Sequence, residues 1–363
     1  MVYAPPRPRP GQIPVYINLY SDTQTRPTQA MKEAMMRAEV GDEQSGLDPT
    51  INALCERSAA LFGKQAAIFL PTGTMCNQIA VLTHCRAGEA ILAHETAHLL
   101  TSEGGAAAAL TGVQIMPLAG PRGQFTAETL AAALIRNPSR YDTPQTLVEV
   151  EQTANFGGGS VWKLAQLNAV ADLAHEHGIA THMDGARVMN AVVASGVAAS
   201  DMVAGYDSVW LDFTKGLGAP LGAVLCGSNE FIDRAWRWKQ RLGGALRQGG
   251  LSAAGCLYSL DHHIDRLAED HANAKVLARG LSQIEGFVVE EPETNLVFCD
   301  VTATRRSGEA IASDLREKGL LVSVMGHHLL RLCTHLDVSR RQIDEALSVI
   351  RAVAVHSEAV SIT

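Results

Sequence analysis

The chain has 363 residues, of which 47% are hydrophobic and 19% are charged, and this composition is typical of a compact globular protein rather than a disordered one. Its 30 lysines and arginines are outnumbered by 38 aspartates and glutamates, for a formal net charge of −8. That balance argues against a general nucleic-acid-binding surface, and the length predicts two domains.

The first segment, residues 1–16, is rich in proline and arginine and has no apolar core of the kind found in a secretory signal. We expect a flexible arm there; a partner-binding segment is the less favoured alternative. The longest stretch of low polarity, Gly104–Gly120, is too short and too interrupted to span a bilayer. The seven cysteines are scattered and form no C-x-x-C pair, which predicts reduced thiols in a cytoplasmic protein without membrane contact.

The segment Phe69–Asn77 predicts a strand that runs into a helix, with Gly73 and Thr74 at the helix start. Backbone N–H groups and a hydroxyl at such a position form an anion cradle, suitable for a cofactor phosphate. Any turn of small residues before a helix has the same appearance, so this pattern is weak by itself. The chain has neither a P-loop motif nor a G-x-G-x-x-G following a strand, which disfavours nucleotide binding.

His94-Glu95-Thr96-Ala97-His98 matches the H-E-x-x-H pattern of zinc proteases. On a helix, two histidines four residues apart share a face and can bind one metal ion, while the glutamate activates water. A match of three specified positions occurs often by chance. The two histidines therefore indicate either a zinc site or a different role, and the rest of the sequence has to decide.

The region 146–184 predicts a strand, a helix and a second strand. Residues 146–151 alternate as in a strand, a glycine-rich turn follows, and apolar residues then recur at helical spacing up to Ala174. Gly178 is suited to end the helix, and a strand resumes up to Asp184. A βαβ unit of this length indicates a parallel sheet covered by helices, in which ligands bind at the carboxyl ends of the strands.

Further elements are expected along the rest of the chain: strands at 207–213 and 222–226, a helix at 251–273, strands at 287–290 and 295–299, and a last helix that opens with a Ser339–Gln342 capping box and turns Ile343, Leu347 and Ile350 inward. We place a domain boundary near residue 265. The expected domains are a large one at 17–265 and a small C-terminal one at 266–363.

Two residues near strand ends suggest the chemistry. Asp184 ends one predicted strand, and Lys215 follows another inside a Lys-Gly-Leu-Gly-Ala-Pro turn. A lysine amine forms a Schiff base with the aldehyde of pyridoxal 5′-phosphate (PLP), and a carboxylate keeps the pyridine nitrogen protonated so that the ring accepts electrons. A surface lysine beside a glycine-rich turn and an ordinary strand-end aspartate are the simpler reading of either residue alone.

The motifs as a set resemble the threonine aldolases, in the β-eliminating-lyase group of PLP enzymes related to aspartate aminotransferase. The resemblance extends from Ser21 to about Ser339 and rests on these blocks: Ser21-Asp-Thr, Gly41-Asp42 with Asp48-Pro-Thr50, Pro71-Thr-Gly-Thr74, Asp184-Gly-Ala-Arg187, Lys215-Gly-Leu-Gly-Ala-Pro220, Gly243-Gly-Ala-Leu-Arg-Gln248 and 331–339. It implies an α/β fold: a large PLP-binding domain with a mainly parallel sheet flanked by helices, and a smaller C-terminal α+β domain.

The resemblance also implies the activity. A β-hydroxy-α-amino acid such as threonine, allo-threonine or a bulkier analogue would be cleaved between Cα and Cβ into glycine and an aldehyde. Lys215 would hold the cofactor and Asp184 its ring nitrogen. His98 would stack on the pyridine ring and take part in proton transfer, with an ordered water as the rival base. His94 is then a polar strand-end residue, and no metal is expected.

Binding roles follow from the same resemblance. Ser21, Arg187 and Arg331 would hold the substrate carboxylate. Arg247 would reach the cofactor from a neighbouring subunit, which implies a homodimer or homotetramer. The implied cofactor-binding set is Gly73, Thr74, His98, Asp184, Arg187, Lys215 and Arg247.

This chain also departs from the family pattern at Tyr20, Ser45, Leu47 and Gln240, and Tyr141 aligns with a family histidine as a possible substrate contact. We expect the cofactor chemistry to hold while the favoured substrate differs from threonine. Three alternatives stay open: β-elimination, transaldol exchange or racemisation on the same scaffold; a zinc hydrolase; and a PLP-binding protein without activity.

Overall fold

A computed structural model describes residues 10–356. The strands are, in chain order, β1 Ile17–Asn18, β2 Ala66–Leu70, β3 Ala90–His94, β4 Gln114–Leu118, β5 Gln145–Glu151, β6 Ala180–Asp184, β7 Ser208–Asp212, β8 Ala223–Gly227, β9 Val288–Val289, β10 Leu296–Asp300, β11 Leu320–Leu321, β12 Ser323–Gly326 and β13 Leu329–Cys333. The α-helices are α1 Gln29–Met36, α2 Pro49–Leu61, α3 Gly73–His84, α4 His98–Thr101, α5 Ala127–Ala133, α6 Leu164–Glu176, α7 Val188–Ser195, α8 Ala199–Met202, α9 Asn229–Arg241, α10 Gly250–His262, α11 Leu267–Leu281, α12 Gly308–Glu317 and α13 Arg340–His356.

The larger of two compact units comprises Pro27–Asp265. Its seven-stranded sheet has the order β2-β8-β7-β6-β5-β3-β4, and all neighbouring strands are parallel except β8, which is antiparallel to both β2 and β7. Helices flank this sheet, and the βαβ unit predicted from the sequence is β5-α6-β6. The predicted fold class, an α/β protein with a mainly parallel sheet, is confirmed.

The central strands are short apolar runs because they are covered on both faces. All five residues of β3, of β7 and of β8 are buried, as expected where helices cover a parallel sheet. The strands β3, β5, β6 and β7 end at the same edge of the sheet, which we call the carboxyl edge. In the register of β5 and β6, Glu151 lies beside Asp184, so acidic side chains are grouped at this edge.

The smaller unit comprises, among the described residues, 10–26 together with 266–356. It contains an antiparallel sheet of order β12-β13-β10-β9 and a parallel pair, β1 and β11. Its core includes Ile17 and Leu19 from the N-terminal segment. Residues 17–26, expected in the large domain, therefore belong to the smaller unit, because β1 pairs with β11 and its apolar side chains need that core.

Residues 1–9 of the expected flexible arm lie outside the described residues. The rest of the arm contacts the smaller unit: the Ile13 carbonyl accepts a hydrogen bond from Arg316 at 2.8 Å, and the Tyr16 amide donates to Gly319 O at 3.1 Å. This portion is therefore anchored, in contrast to the expectation of a free arm.

The helix expected at 251–273 is two helices, α10 and α11, separated by residues 263–266. The ring of His263 hydrogen-bonds to Leu217 O at 2.7 Å, and the units divide just after it. Apolar periodicity continues through such a break, so the sequence does not reveal it. The final helix is as expected: Ser339 and Gln342 exchange hydrogen bonds, and Ile343, Leu347 and Ile350 are buried.

Among residues 10–356, no helix is both long enough and apolar enough to cross a membrane.

Candidate active site

Lys215 lies in the turn that follows β7 at the carboxyl edge. Asp212, the last residue of β7, shapes that turn, because its Oδ1 accepts hydrogen bonds from the amide and the hydroxyl of Thr214, both at 2.8 Å. The other oxygen, Oδ2, accepts from Lys215 Nζ at 2.7 Å. Both side chains are largely buried, so the amine is held in a defined position with a counter-ion.

Asp184 ends the neighbouring strand β6 and is fully buried. Its carboxylate accepts hydrogen bonds from Asn77 Nδ2 at 2.7 Å and from the amide of Ala186 at 3.0 Å. Burial raises the pKa of Asp184, while the charges of His98 and Lys215 and the bond from Asn77 oppose that rise. Asp184 ends β6 and Lys215 follows the adjacent strand β7, and the two lie close enough for the charge of the lysine to act on the pKa of the aspartate.

His98 begins α4, a short helix just beyond the end of β3. Its Nδ1 hydrogen-bonds to Glu103 Oε1 at 2.9 Å, and its backbone amide donates to Glu151 Oε2 at 3.2 Å. Ligating atoms of His98, Glu103 and Asp184 lie within 4.8 Å of one another. Burial alone would lower the pKa of His98, but the bond with Glu103 and the charges of Asp184 and Glu151 raise it above its ordinary value.

Glu103, Asn77, Asp212 and Trp210 were not identified from the sequence. The buried carboxylate of Glu103 accepts from Asn77 at 2.7 Å and also from Gln78. Trp210 Nε1 donates to Asn77 Oδ1 at 2.7 Å, and Lys215 Nζ lies 5.6 Å from the centre of the Trp210 ring. These side chains lie in a helix, a loop and a strand without a shared motif, so only the fold brings them together.

Glu151, at the end of β5, is another buried acid of the site. Burial raises its pKa to about 7, and the nearby charge of Asp184 adds to this, while the charges of His98 and Arg187 oppose it. Arg187 is buried at the start of α7, and its amide donates to Gln152 O at 3.3 Å. Arg187 lies close enough to Glu151 for its charge to act on the pKa of that carboxyl group.

Gly73 and Thr74 form the first turn of α3, as expected. The cap is supplied by Thr72, whose hydroxyl accepts from the Met75 amide at 3.2 Å. A Cβ at Gly73 would lie 2.2 Å from the indole ring of Trp210. Glycine is therefore required there for packing against Trp210, and the helix start leaves backbone N–H groups suited to an anion.

Ser21 and Arg331 belong to the smaller unit, where both are buried. Arg331 Nη2 donates to the carbonyl of Tyr20 at 3.4 Å, and Ser21 Oγ accepts from the amide of Thr23 at 3.2 Å. The two proposed carboxylate ligands are thus neighbours within that unit, on β13 and just after β1.

Two predicted residues do not join the cluster in this chain. Tyr141 lies in the turn before β5, a strand about 20 Å long that has Glu151 at its far end, and it is 90% exposed. The placement of Tyr141 as a substrate contact within the same chain is therefore not supported. Arg247 pairs with Asp42, with Nη1 3.2 Å from both carboxylate oxygens, and its side chain is 63% exposed.

The H-E-x-x-H segment does not form a zinc site. His94 ends β3 and His98 begins α4, so the two residues do not share a helical face. The Thr96 amide donates to His94 Nδ1 at 3.1 Å, which leaves Nε2–H to donate to Gly120 O at 3.0 Å. Both ring nitrogens of His94 are therefore engaged in fixing a turn.

The residues present fit PLP. The Lys215 amine suits the aldehyde of PLP, and the fully buried Asp184 carboxylate suits its ring nitrogen. The His98 imidazole, beside that carboxylate, suits the face of the ring. The start of α3, at Gly73, suits the phosphate. The sheet is mainly parallel and flanked by helices, and it carries a lysine and a buried aspartate at neighbouring strand ends. This arrangement is that of an α/β enzyme that binds its cofactor through a lysine.

Comparison with known proteins assigns the family. Residues 18–304 match the model of the family described as Beta-eliminating lyase. The chain is 39% identical to the low specificity L-threonine aldolase of Escherichia coli K12 over 93% of this chain and 98% of that protein. It is 37% identical to low-specificity L-threonine aldolase 1 of Arabidopsis thaliana, over 92% and 94%.

The chain therefore belongs to the threonine aldolases of the beta-eliminating lyase family, and the predicted family and lyase class are confirmed. A solved structure described as Leishmania major threonine aldolase shares the fold, with a TM-score of 0.80 at 21% identity, covering 93% of this chain and 99% of that one.

Proposed function

We propose that this protein is a PLP-dependent carbon–carbon lyase that cleaves a β-hydroxy-α-amino acid into glycine and an aldehyde. The observation that carries the proposal is the adjacency of Lys215 and the buried Asp184 at the carboxyl edge, with His98 beside the aspartate. The names of the curated relatives, low-specificity L-threonine aldolases, support this choice over β-elimination, transaldol exchange and racemisation.

The bound cofactor supplies an electron sink for the pair of electrons left when the Cα–Cβ bond breaks. Lys215 would hold the cofactor through its amine. Asp212, which accepts a hydrogen bond from Lys215 Nζ at 2.7 Å, would keep that amine in a defined position in the site.

Asp184 would hold a proton on the ring nitrogen of the cofactor. A carboxylate can do this only while it is ionised, yet burial opposes ionisation. Asn77 and the Ala186 amide counter that cost by donating to the two carboxylate oxygens. Charge-assisted bonds of this kind in a site sheltered from water are strong, and they also fix the direction of the carboxylate.

His98 is the proposed group that removes the proton from the β-hydroxyl. Its hydrogen bond to the buried Glu103 sets the ring orientation, and acidic neighbours raise its pKa. Titration near neutral pH suits an imidazole to both accept and return a proton within one cycle. An ordered water remains the rival base. The substrate carboxylate is assigned to Ser21, Arg187 and Arg331 on the basis of the family resemblance.

Assembly and compartment are also part of the proposal. The exposed Arg247 at the Asp42 loop supports a homo-oligomer, a dimer or a tetramer, in which this arginine serves the cofactor site of a neighbouring subunit. All seven cysteines are free thiols, which supports a reducing compartment such as the cytoplasm.

The test is a product assay of purified holoenzyme over a panel of β-hydroxy-α-amino acids, including threonine, allo-threonine and bulkier analogues. We expect an absorbance band at about 420 nm from lysine-bound PLP, and equimolar glycine and aldehyde that disappear in Lys215→Ala. Ammonia and the 2-oxo acid that keeps the whole carbon chain of the substrate (2-oxobutanoate from threonine) would instead establish β-elimination. Equal turnover of threonine and bulkier substrates would contradict the expected shift in preference.

A further inference from the structure

We propose that a directed chain of hydrogen bonds, from His84 through Ser208, His182 and Asn77, positions Asp184 and holds it in its ionised form. The proposal rests on the function proposed above, because the role of Asp184 is to hold the proton of the PLP ring nitrogen. None of the three outer residues touches the reacting groups, so they are positioning residues.

The fold brings these residues together along one side of α3. Asn77 and His84 are seven residues apart on that helix, close to two full turns, so they point in the same direction. His182 on β6 and Ser208 on β7 are direct neighbours across the parallel strand pair. The helix lies against this pair, and its two polar residues meet the two strand residues.

The orientation of the Asn77 amide follows from Trp210. An indole N–H only donates, so the Asn77 atom 2.7 Å from Trp210 Nε1 is the carbonyl oxygen. The amide NH₂ then faces the carboxylates of Asp184 and Glu103, each at 2.7 Å. Asn77 is therefore an acceptor on one side and a donor to the two acids on the other.

The direction of the remaining bonds follows in turn. His182 Nε2 lies 3.1 Å from the Asn77 carbonyl oxygen, so it carries the proton. In a neutral imidazole the other nitrogen is then an acceptor, and His182 Nδ1 accepts from the Ser208 hydroxyl at 2.8 Å. With its proton committed, Ser208 Oγ accepts from His84 Nε2–H, also at 2.8 Å.

The two histidines in this chain of hydrogen bonds, His84 and His182, are neutral. Burial lowers the pKa of His182 to about 3 and that of His84 to about 4. The hydrogen-bonded residues from His84 to Asn77 thus carry no charge and act through their dipoles. Each of them donates its hydrogen bond in the direction of Asp184. Bonds arranged head to tail polarise one another, so the Asn77 amide becomes a stronger donor to the carboxylate than it would be alone.

The serine is the residue to test, because its hydroxyl both fixes the His182 tautomer and links the two rings. Ser208→Ala breaks the chain of hydrogen bonds, and Ser208→Thr keeps the hydroxyl.

The readout is the NMR shift of the pyridine nitrogen in holoenzyme reconstituted with PLP labelled at that atom, followed against pH. In Ser208→Ala we expect the signal to move toward the deprotonated position and the ring proton to be lost about 0.5–1 pH unit lower. We also expect kcat to fall about three- to tenfold with little change in KM, and Ser208→Thr to restore both.

Thr83→Val is the matched control for stability. It removes a buried hydroxyl from α3, the helix that carries Asn77 and His84. This hydroxyl donates to Ile79 O at 2.6 Å and is not part of the chain of hydrogen bonds. We expect a similar loss of thermal stability without a change in the nitrogen signal. Should Ser208→Ala fail to fold, His84→Phe keeps the ring that stacks on Phe231 but removes the outermost donor, and a smaller shift in the same direction is expected.

Each outcome separates the two proposals. If the pyridine nitrogen signal of Ser208→Ala and His84→Phe is identical to that of the wild-type protein, that result would overturn the role of the hydrogen-bond chain and leave the lyase proposal intact. The signal does not depend on which reaction the holoenzyme catalyses, so failure to release glycine would overturn only the lyase reaction. An unchanged protein that binds no PLP would overturn both.

Discussion

Lys215 Nζ donates a hydrogen bond of 2.7 Å to Asp212 Oδ2, while the other oxygen of Asp212 is held by Thr214. The carboxylate therefore links the conformation of the turn to the position of the amine. Neither residue type nor spacing marks Asp212 as special in the sequence, yet its carboxylate accepts a hydrogen bond from the lysine amine.

The first prediction concerns this pair. Asp212→Ala removes both the turn anchor and the counter-ion, and we expect kcat for glycine release to fall about tenfold or more. Asp212→Asn keeps an oxygen for Thr214 but loses the charge, so its loss should be intermediate. Thr214→Val isolates the anchor. Steady-state kinetics and the rate at which PLP absorbance develops in the apoenzyme measure these effects, and an Asp212→Asn enzyme equal to the unchanged one would exclude a role for the charge.

The second prediction concerns the buried acid. Asp184→Asn keeps the shape but cannot hold a proton on the ring nitrogen as an anion does, so we expect kcat to drop about 100- to 1,000-fold. Because Lys215 is untouched, the visible band of lysine-bound PLP should persist. Asp184→Glu is the companion variant and should retain more activity than Asp184→Asn. A fully active Asp184→Asn would rule out the assigned role of this carboxylate.

The third prediction is a pH dependence of stability. Burial raises the pKa of Glu151 from 4.5 to about 7 in the folded protein, so between these values the folded state holds a proton that the unfolded state has released. Stability contributed by this group is present below about pH 4.5 and decreases as the pH rises toward 7. Compared with Glu151→Gln, the unchanged protein should lose several degrees of Tm across that window. Parallel Tm curves for the two proteins would contradict the shift.

The fourth prediction distinguishes the cofactor from a metal. Since both ring nitrogens of His94 are engaged by Thr96 and Gly120, chelators should leave glycine release unchanged. Removal of PLP with hydroxylamine should abolish it, and added PLP should restore it. His94→Gln should lower Tm but keep kcat within about threefold, since it alters a turn. Loss of activity with a chelator and its recovery with zinc would indicate that the H-E-x-x-H segment does bind a metal ion.

The sequence was sufficient for those parts of the site that local patterns encode. Asp184 and Lys215 follow predicted strands, and parallel strands place such residues at one edge, so their proximity could be inferred. Glu103 and Asn77 could not be found in this way, because a glutamate before two glycines and an asparagine within an apolar helix carry no pattern of their own. Their roles arise only where α3 and the 98–103 segment meet β6.

The fold shows the same division. The β5-α6-β6 unit was readable because its apolar spacing changes from strand to helix and back. The assignment of residues 17–26 was not, because a two-residue strand such as β1 is defined by its partner β11, about 300 positions away in the chain. Tyr141 was assigned by alignment of a loop, and loops lack the periodicity that fixes a position.

The last prediction concerns Glu149, in the middle of β5. The side chain is fully buried, and neither carboxyl oxygen has a hydrogen-bond partner among residues 10–356. Burial, together with the nearby charges of Asp184, Glu151 and Glu103, raises the pKa of Glu149 well above its usual value and so favours its protonated, neutral form. A buried polar group without partners costs about 1–3 kcal/mol.

Glu149→Met fills a similar volume without that cost, and we therefore expect Tm to rise by several degrees, with kcat within about twofold of the unchanged enzyme. Glu128→Met, at an exposed position in the first turn of α5, is the matched control and should not stabilise the protein, because no buried polar group is removed. Calorimetry of both variants decides the matter. A lower Tm for Glu149→Met would mean that the carboxyl group is hydrogen-bonded in solution, and that β5 tolerates an acid there because water reaches it.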